Sequence, residues 1–384
     1  MPVIGIIAEF NPFHNGHLYL LDQIKQKFKQ ATIVVAMSGN FLERGEPACV
    51  DKWTRAKQAC LAGIDLVVEL PVSYCIQPAD RFALGAVKLL KELDVDYLCF
   101  GAEHADYDFA DLARQVLDVH GNFQKFNESY AAAYQRAVTE KVGHSIDQPN
   151  DLLGLAYARA CLQTKSLIKP VAIQRLGAEH HDQVLKPGQK IASATAIRKA
   201  WKNSDQRVAA YLPAFCWQLL QDCLPLSWDD FWPLLRYQIL ASTPEQLRAN
   251  YDLAEGLEYR LKQQLERLPL TADFEEWLKA VKTKRYTYTH LSRVAATVLL
   301  QLSHQEVFNQ FARPYLRPLA FNLRGQKLLH KVKKQTELPI IAKVGQEEVK
   351  KILPVDYKAG KIYELACKKP QDLKRHPLIL KPVK

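Results

Sequence analysis

The segment PVIGIIAEFNPFHNGHLYL, residues 2–20, decides the fold that this chain is expected to adopt. Residues 2–7 form an apolar, β-branched run, an Asn-Pro pair marks a turn, and residues 18–28 have helical spacing; together they predict a strand, a short loop and a helix. His14 and His17 lie where the loop enters the helix. The first helical turn carries unpaired backbone N–H groups and the positive end of the helix dipole, and side chains three apart share a face. The pair therefore suggests a site for a phosphate group.

Gly16 lies between the two histidines and lets a ligand approach the backbone, because glycine has no side chain. The same His-x-x-His spacing is also found in metal sites. It occurs as well where one histidine caps a helix and the other is a surface residue. The segment by itself leaves these two alternatives open.

Four further apolar runs predict strands, and they alternate with helical segments along the first half of the chain. They lie at residues 31–37, 65–70, 97–101 and 170–176. A β-α-β alternation with short connections is typical of a parallel sheet that has helices on both faces. The carboxyl ends of such strands meet at one edge, where doubly wound sheets bind ligands.

Charged and small residues follow or end several of these strands. Gly101 and Arg175 lie at the ends of the fourth and fifth strands, on the predicted ligand edge. Lys52 and Arg55 begin the helix after the second strand. Those two cations could face phosphate groups or be ordinary surface charges.

A second motif, IASATAIR, occupies residues 191–198. Ser193 and Thr195 can cap the helix that carries Arg198, which brings hydroxyls, backbone amides and a guanidinium together at the start of one helix. That combination suits the β- and γ-phosphates of a nucleotide. Capping alone would also account for the serine and the threonine.

The positive charge of the chain is concentrated at its C-terminal end. Residues 311–384 contain 18 Lys and Arg against 6 Asp and Glu, whereas the preceding residues contain 34 and 35. A basic surface confined to one region is typical of a polyanion binder, with nucleic acid the leading candidate. The alternative is a lysine-rich surface that keeps the protein in solution.

The chain from residue 205 to residue 310 has helical periodicity, with many tryptophans and leucines. Lys284 and Arg285 precede Tyr286 and Tyr288, and this mixture of bases and aromatics suits RNA backbone contacts and base stacking. Packing of aromatic side chains in a core is the alternative. We therefore expect an α/β domain over residues 1–203 and a mostly helical, C-terminally basic region over residues 204–384.

Other classes of protein are less compatible with the sequence. No apolar run is long enough to cross a bilayer and the chain opens directly on a strand, so we expect a cytoplasmic protein without a membrane segment. The eight cysteines are scattered without a CxxC pair, which favours reduced core residues over disulfides or zinc ligands. The acidic and histidine residues at 179–182 are consecutive and point in different directions, so we predict a loop there. No metal site formed by protein side chains is predicted.

The two motifs are similar to signatures of the HxGH nucleotidyltransferase superfamily. His14-Asn15-Gly16-His17 resembles its HxGH element, in which the two histidines steady the α-phosphate of ATP. Ser193–Arg198 resembles its S-x-T-x-x-R element, which follows the last core strand and binds the triphosphate. The resemblance implies a Rossmann-like nucleotidyltransferase domain.

The whole chain resembles the bacterial tRNA(Met) cytidine acetate ligases. The likeness is carried by residues 5–20, 37–48, 63–71, 100–103, 149–154, 174–177, 193–198 and 286–289. It implies that ATP activates acetate as acetyl-adenylate with release of pyrophosphate. The acetyl group would then pass to N4 of the wobble cytidine of elongator tRNA(Met), which gives N4-acetylcytidine.

The resemblance also implies which residues do this. His14 and His17 would be catalytic, residues 1–203 would bind ATP, and residues 204–384 would bind tRNA. The expected ATP contacts are Ile7, Ala8, Glu9, Phe10, Asn11, Pro12, Phe13, His14, Asn15, Gly16, His17, Leu18, Tyr19, Leu20, Gly101, Asn150, Arg175, Leu176, Ser193, Thr195 and Arg198. The charge pattern and the mixture of bases with aromatics, not the resemblance, give the expected tRNA contacts: Lys284, Arg285, Lys331, Lys333 and Lys334.

Two points stay open at this level. The family often has Asn-Asn where this chain has Asn150-Asp151, so either residue could touch the nucleotide. Mg²⁺ is expected with the phosphates, because the motifs offer few cations beyond Arg198 and Arg175. The alternatives are a nucleotidyltransferase that acts on a small phosphate substrate, such as a coenzyme A or NAD precursor, and a non-catalytic RNA-binding protein.

Overall fold

The computed structural model describes residues 1–119, 130–176, 184–186, 188–253 and 256–381. The loop predicted at residues 179–182 lies outside them. No helix in these ranges is long and apolar enough to cross a membrane. The eight cysteines are all free thiols, and six of them are buried.

The described residues form a single sheet with strand order β5-β4-β1-β2-β3-β6-β7. The strands are β1 Val3–Ala8, β2 Thr32–Ser38, β3 Leu66–Leu70, β4 Tyr97–Ala102, β5 Lys169–Gln174, β6 Pro318–Phe321 and β7 Leu378–Ile379. Strands β1 to β5 pair in parallel throughout. The predicted parallel α/β core is therefore confirmed, with strand bounds that differ by at most two residues at either end.

The C-terminal part of the chain adds two strands that the sequence did not predict. Strand β6 pairs antiparallel with β3, and β7 pairs parallel with β6, so the sheet as a whole is mixed. These strands are only four and two residues long, too short for a period-2 pattern to be visible. They cover an edge of β3 that would otherwise expose unpaired backbone groups. The division at residues 203 and 204 stays a prediction, and part of the second region lies in the sheet of the first.

In the ranges that the structure describes, eight helices accompany the first five strands. They are α1 Asn15–Lys27, α2 Lys52–Leu61, α3 Val72–Cys75, α4 Ala79–Glu92, α5 Phe109–Gln115, α6 Tyr130–Val142, α7 Pro149–Gln163 and α8 Ala194–Lys202. Buried side chains of α4, α5 and α7 pack on one face of the sheet, and those of α1, α2 and α8 pack on the other. Helix α7 begins at Pro149, because proline is well suited to the first turn of a helix.

The prediction of a helical region after residue 205 is confirmed. A 3₁₀ turn at Gln206–Tyr211 is followed by α9 Ala214–Leu220, α10 Trp228–Ala241, α11 Pro244–Arg248, α12 Leu257–Arg267, α13 Phe274–Val281, α14 Tyr288–Leu299, α15 His304–Ala312, α16 Leu323–Val332, α17 Gln346–Lys351 and α18 Pro354–Cys367. Buried aromatic and aliphatic side chains of α10, α12, α13 and α14 form a separate core that includes Trp228, Trp232 and Trp277.

A buried charge group joins residues 311–384, which we call the C-terminal segment, to the strands of the α/β core. It consists of Lys52, Glu69, Arg317 and Asp372, none more than 2% exposed. Lys52 Nζ lies 2.6 Å from both Glu69 Oε1 and Asp372 Oδ1. Arg317 Nη1 lies 2.9 Å from Glu69 Oε2 and 2.6 Å from Asp372 Oδ1. The two positive and two negative side chains balance one another inside the protein.

Both alternatives considered for Lys52 and Arg55 are wrong. Lys52 belongs to the buried charge group. Arg55 is fully buried and donates hydrogen bonds to backbone carbonyls of Glu9, Ser38 and Gly39 at the carboxyl ends of β1 and β2. Neither side chain faces a phosphate or the solvent, because partners distant in sequence enclose both.

Candidate active site

The loop between β1 and α1 is fixed by contacts from two other parts of the chain. Asn11 is buried, and its Oδ1 accepts a hydrogen bond of 2.7 Å from the Cys49 N–H. Its carbonyl oxygen accepts one of 2.9 Å from Arg198 Nη1. Phe10 and Phe13 are also buried, so the loop is anchored on both sides of the turn. The start of α1 is therefore held in one position.

His14 and His17 lie together at the start of α1, with their rings stacked at a centroid distance of 3.7 Å. The Gly16 N–H donates to His14 Nδ1 at 3.1 Å, and the His14 N–H donates to His17 Nδ1 at 3.2 Å. Because each Nδ1 accepts a hydrogen bond, each neutral ring carries its proton on Nε2. The pair therefore presents two fixed N–H donors side by side. The sequence left open whether these histidines cap the helix or bind a ligand. The two roles are compatible, because capping uses only Nδ1 and leaves the Nε2–H group for a ligand.

Both imidazoles are neutral in the free protein at pH 7. Burial, reinforced by the positive charges of Arg175 and Arg198, lowers the pKa of His14 to about 3. Burial also holds the pKa of His17 well below its usual value, with smaller contributions from His14 and Arg175. These causes also indicate that the two arginines lie near the histidine pair. A site with two neutral donors and two guanidinium groups suits an anion.

Gly16 is required by the way the two rings are arranged. A Cβ atom at this position would lie 2.9 Å from Cε1 and 3.0 Å from Nδ1 of His14. A side chain would therefore displace the imidazole that caps the helix. The glycine serves the histidine geometry in addition to leaving the backbone open.

The start of α8 lies beside the start of α1. Asn15 Nδ2 donates to the carbonyl oxygens of Lys190 and Ala210, at 2.8 and 3.0 Å, and so ties the two segments together. Ser193 is the N-cap of α8 and accepts from the Ala196 N–H at 3.0 Å. Two helix N-termini thus lie side by side, and the positive ends of their dipoles favour binding of a polyphosphate.

Arg198 connects this region to two loops. Its Nη1 contacts the loop before α1 through Asn11, while Nη2 lies 3.4 Å from Thr195 Oγ1 and 3.5 Å from Glu46 Oε2. The side chain remains 24% exposed, so part of the guanidinium is available to a ligand. The structure therefore brings the two sequence motifs together.

On the other side of β1, Gly101, Asn150 and Arg175 meet at the ends of β4, α7 and β5. A Cβ at Gly101 would lie 3.2 Å from Arg175 Cγ, and Asn150 Oδ1 lies 3.4 Å from Arg175 Nη1. Glu103, which sequence reasoning did not single out, accepts from Asn150 Nδ2 and lies 3.6 Å from Arg175 Nε. The sequence signal that could have identified Glu103 was its position as an acidic residue shortly after Gly101, at the end of a strand.

Asn150 and Asp151, the two candidates for the nucleotide contact, are placed differently. Asp151 is 1% exposed, and its Oδ1 accepts from the backbone N–H groups of Glu103 and His104 at 2.9 and 3.1 Å. Its Oδ2 lies 2.6 Å from His104 Nδ1, and this hydrogen bond raises the pKa of His104. Asp151 is thus committed to structure, and Asn150 is the member of the pair that lies among the predicted contacts.

The remaining residues of the predicted stretch 7–20 are placed differently. Ile7, Phe10, Pro12 and Phe13 are buried, so a ligand could reach them only through the backbone. Leu18 and Leu20 pack against the core beneath α1, and Ala8 and Tyr19 are half-buried. Leu176, just after β5, is 52% exposed.

The loop of residues 39–47, which follows β2, lies between the β1–α1 loop and the helical region. The Glu43 N–H donates to Glu9 Oε1 at 2.7 Å, and Glu43 Oε1 lies 3.6 Å from Arg293 Nη1. Gly45 has φ +76°, and a Cβ there would lie 2.3 Å from the backbone nitrogen of Arg293. The loop is therefore packed directly on α14.

The predicted RNA-contacting residues fall on two separate surfaces. Lys284 and Arg285 precede α14, where Arg285 lies 5.5 Å over the Tyr286 ring and Tyr286 stacks on His290. We call residues 282–288 the basic-aromatic surface. Through α14 it adjoins the loop of residues 39–47, on the side of the molecule that holds the histidine pair.

Lys331, Lys333 and Lys334 lie at the opposite edge of the sheet. Lys331 Nζ is 2.5 Å from Asp94, which precedes β4, whereas the histidine pair follows the carboxyl end of β1. The side chains of Lys331 and Lys334 line a surface pocket together with Gln326, Lys327, His330 and Gln335. These lysines are therefore remote from the candidate site.

Within the described ranges, no group of three or more His, Cys, Asp or Glu residues is arranged to hold a metal ion. The metal-pair alternative for His14 and His17 also requires Nδ1 or Nε2 lone pairs. In the observed arrangement both Nδ1 atoms accept backbone hydrogen bonds and both Nε2 atoms carry protons. The histidine pair thus suits an anion.

Comparisons with known proteins agree with this geometry. A family model described as HIGH Nucleotidyl Transferase matches residues 1–376. A protein named tRNA(Met) cytidine acetate ligase from Ligilactobacillus salivarius is 50% identical over 99% of this chain and 100% of its own length. A protein of the same name from Limosilactobacillus reuteri is 44% identical over 99% of this chain and 100% of its own length.

Solved structures are similar over the same extent. Apo TmcAL from Thermotoga maritima has a TM-score of 0.89 and 28% identity, and the match covers 99% of this chain and 100% of the other. The same protein bound to alpha-thio ATP has a TM-score of 0.86, also at 28% identity and with the same coverage. With its HxGH pair at the start of α1 and this similarity over its whole length, the chain belongs to the tRNA(Met) cytidine acetate ligase family of HIGH nucleotidyl transferases.

Proposed function

We propose that this protein is an ATP-dependent ligase that forms acetyl-adenylate and transfers the acetyl group to N4 of the wobble cytidine of elongator tRNA(Met). The observation that carries the proposal is the pair of neutral, stacked histidines with Nε2–H donors beside two arginines and two helix N-termini. The names of full-length relatives support the substrate. The expected place of action is the cytoplasm.

In the first step an oxygen of acetate attacks the α-phosphorus of ATP, and pyrophosphate leaves. His14 and His17 donate Nε2–H to the α-phosphate oxygens, where negative charge builds up. Because the backbone already fixes both rings, little reorganisation is needed during the reaction. Arg198 and the N-terminus of α8 would hold the β- and γ-phosphates, and Arg175 would add positive charge beside them. Gly101, Asn150 and Leu176 would also contact ATP.

In the second step the exocyclic amine of cytidine attacks the acetyl carbonyl carbon, and AMP leaves. The mixed anhydride is already activated, so this step needs positioning and a proton acceptor. Mg²⁺ would arrive with ATP, held by the phosphate oxygens, and would supply further neutralisation of the triphosphate charge.

Isotope exchange between pyrophosphate and ATP tests the first step. We expect exchange that depends on acetate and does not need tRNA. Exchange supported only by nicotinate mononucleotide or phosphopantetheine would instead favour a nucleotidyltransferase that acts on a small phosphate substrate. Mass spectrometry of tRNA(Met) after incubation with protein, ATP and acetate tests the second step, and an unmodified cytidine would contradict the proposal.

The two basic surfaces are expected to contribute differently to tRNA recognition. The basic-aromatic surface adjoins the site, so Lys284→Ala and Arg285→Ala should reduce both tRNA affinity and the transfer rate at saturating tRNA. Lys333→Ala and Lys334→Ala, at the far edge of the sheet, should reduce affinity alone. Each lost phosphate contact should lower the slope of log affinity against log salt by about one unit.

Filter binding over a salt series and single-turnover transfer measure these two quantities separately. Acetate-dependent exchange, which needs no tRNA, reports whether each variant is folded. If Lys333→Ala lowered the transfer rate at saturating tRNA as much as Lys284→Ala does, the division of roles between the two surfaces would be contradicted.

A further inference from the structure

The transfer step requires a proton acceptor, and the two histidines cannot supply one. The exocyclic amine of cytosine is weakly nucleophilic because its lone pair is delocalised into the ring, so it must lose a proton as it attacks the acetyl group. His14 and His17 carry protons on Nε2 and accept backbone hydrogen bonds at Nδ1. Both rings are therefore donors, and the acceptor must be another group near the reacting atoms.

Most of the carboxylates around the site are already paired with an arginine. Glu43 lies 3.6 Å from Arg293, Glu46 lies 3.5 Å from Arg198, and Glu103 lies 3.6 Å from Arg175. A proton on any of these carboxylates would weaken its ion pair with the arginine. Burial raises the pKa of Glu43, and the charge of Arg293 opposes that shift. The fourth carboxylate, that of Glu9, has no ion pair with an arginine among the residues that the structure describes.

Glu9 lies between the phosphate-binding elements and the loop that leads to the basic-aromatic surface. It directly follows β1, and its carbonyl oxygen accepts a hydrogen bond of 2.6 Å from Arg55 Nη1, which fixes the backbone. Its side chain reaches the loop of residues 39–47, where Oε1 accepts from the Glu43 N–H at 2.7 Å. That loop is packed on α14, so Glu9 lies where ATP-binding and RNA-binding elements would meet.

One oxygen of the Glu9 carboxylate is available. In the described parts of the chain, Oε2 accepts no hydrogen bond, and it is not among the unpaired polar atoms that are buried from solvent. With Oε1 held by the Glu43 N–H, Oε2 can receive a proton without rearrangement of the carboxylate.

Resting on the function proposed above, we propose that Glu9 accepts the proton that leaves N4 of the cytidine during acetyl transfer. The N4 lone pair forms the new bond to the acetyl carbonyl carbon. The bond between that carbon and the phosphate oxygen breaks, and AMP leaves with the electron pair. The N4 proton moves to Glu9 Oε2, which returns it to solvent after the products leave.

The surroundings of Glu9 suit this role at neutral pH. Burial raises the pKa of Glu9 to about 7; the Glu43 N–H lowers it, the charges of Glu43 and Glu46 raise it, and Arg55 lowers it. Burial raises the pKa of Tyr157 of α7 and of Cys75 of α3, and the nearby charge of Glu9 adds a smaller contribution to both shifts. A base with a pKa near the working pH combines a large ionised fraction with good proton affinity.

The raised pKa of Glu9 sets the direction in which the rate of acetyl transfer changes with pH. Below about pH 7 the Glu9 carboxyl is protonated and cannot accept the N4 proton, whereas above that pH it is ionised and can accept it. The rate of acetyl transfer at subsaturating tRNA should therefore rise tenfold per pH unit at low pH and level off above about pH 7.

Glu9→Gln tests the proposal, because glutamine keeps an oxygen for the Glu43 N–H but cannot take a proton. The enzyme is first incubated with ATP and acetate, then mixed with tRNA(Met), and N4-acetylcytidine is measured in a single turnover. We expect transfer to slow by about 10²-fold and to lose its inflection near pH 7, whereas any loss of acetate-dependent pyrophosphate exchange should be much smaller than the loss of transfer.

Two further variants test the interpretation. Glu9→Asp keeps a carboxylate and should restore part of the transfer rate together with the inflection. Glu43→Gln keeps Glu9 but removes a neighbouring negative charge, so the inflection should move to lower pH with little change in the plateau rate.

Three outcomes would overturn the assignment. Glu9→Gln could transfer acetyl at the wild-type rate with the wild-type pH profile, or it could lose exchange as severely as transfer, which would assign Glu9 to the first step. Glu43→Gln could leave the inflection where it was. A wild-type protein that exchanges pyrophosphate with acetate but never acetylates tRNA would overturn the proposed function itself, a result distinct from the other three.

Discussion

His14→Ala and His17→Ala are each expected to lower acetate-dependent pyrophosphate exchange by about 10²–10³-fold, the usual loss when one fixed donor to a developing negative charge is removed. Each imidazole presents one Nε2–H donor whose direction is set by a backbone hydrogen bond to Nδ1. Because the rings stack at 3.7 Å, the loss of one also removes a packing contact of the other. The double variant should therefore lose less than the product of the two single losses.

The matched control for these variants is His330→Ala, on α16 at the far edge of the sheet. It should leave exchange unchanged, and filter binding of tRNA should persist in all the histidine variants, because the basic-aromatic surface remains intact. Exchange at the wild-type rate in His17→Ala would contradict the role assigned to the pair. Loss of tRNA binding together with exchange would indicate unfolding instead.

Arg317→Met is expected to reduce the free energy of unfolding by about 3–5 kcal/mol, the usual cost of removing one partner from a buried ion pair. Without Arg317, the carboxylates of Glu69 and Asp372 keep only Lys52 as a positive partner, inside a part of the protein that excludes water. Asp372 lies in the C-terminal segment, so the same change should loosen the attachment of that segment to the sheet.

Urea unfolding measures this loss, and Lys331→Ala is the matched control. Lys331 and Asp94 also form an ion pair, but both side chains are 56% exposed, so its loss should cost less than about 1 kcal/mol. Equal destabilisation by the two variants would show that burial of the four charges contributes nothing. Limited proteolysis should cleave the C-terminal segment of Arg317→Met sooner than that of the wild type.

The sequence predicted features that depend on neighbouring residues. Strands β1 to β5 are short apolar runs bounded by turn residues, and their parallel order follows from the helices between them. The histidine pair could be recognised because its geometry is local: the N-cap His14, Gly16 and His17 of α1, and two backbone N–H groups position both rings. The motif at residues 191–198 could be recognised for the same reason.

The positions of charged groups could not be predicted in the same way. The signal for Glu103 was visible only as an acidic residue after Gly101, and its partners come from α7 and the end of β5. The lysines at 331, 333 and 334 share the basic character of the C-terminal segment, but strand β6 and helix α16 carry them to the edge opposite the histidines. Counting charged residues in the sequence gives the sign of a surface's charge, but it does not show where that surface lies in the fold.

By itself, then, the sequence determined the parallel core, the HxGH loop and the helical region, because periodicity and turn chemistry act over a few residues. Only the tertiary structure decided that Lys52 and Arg55 are enclosed, that Glu9 lies between two loops, and that the C-terminal segment completes the sheet. Each of these depends on at least one partner far away in the chain, such as Glu43, 34 residues from Glu9, and Asp372, 320 residues from Lys52. Whether a charge is buried, paired or open to a ligand is set by which distant groups surround it, since burial and neighbouring charges fix its ionisation.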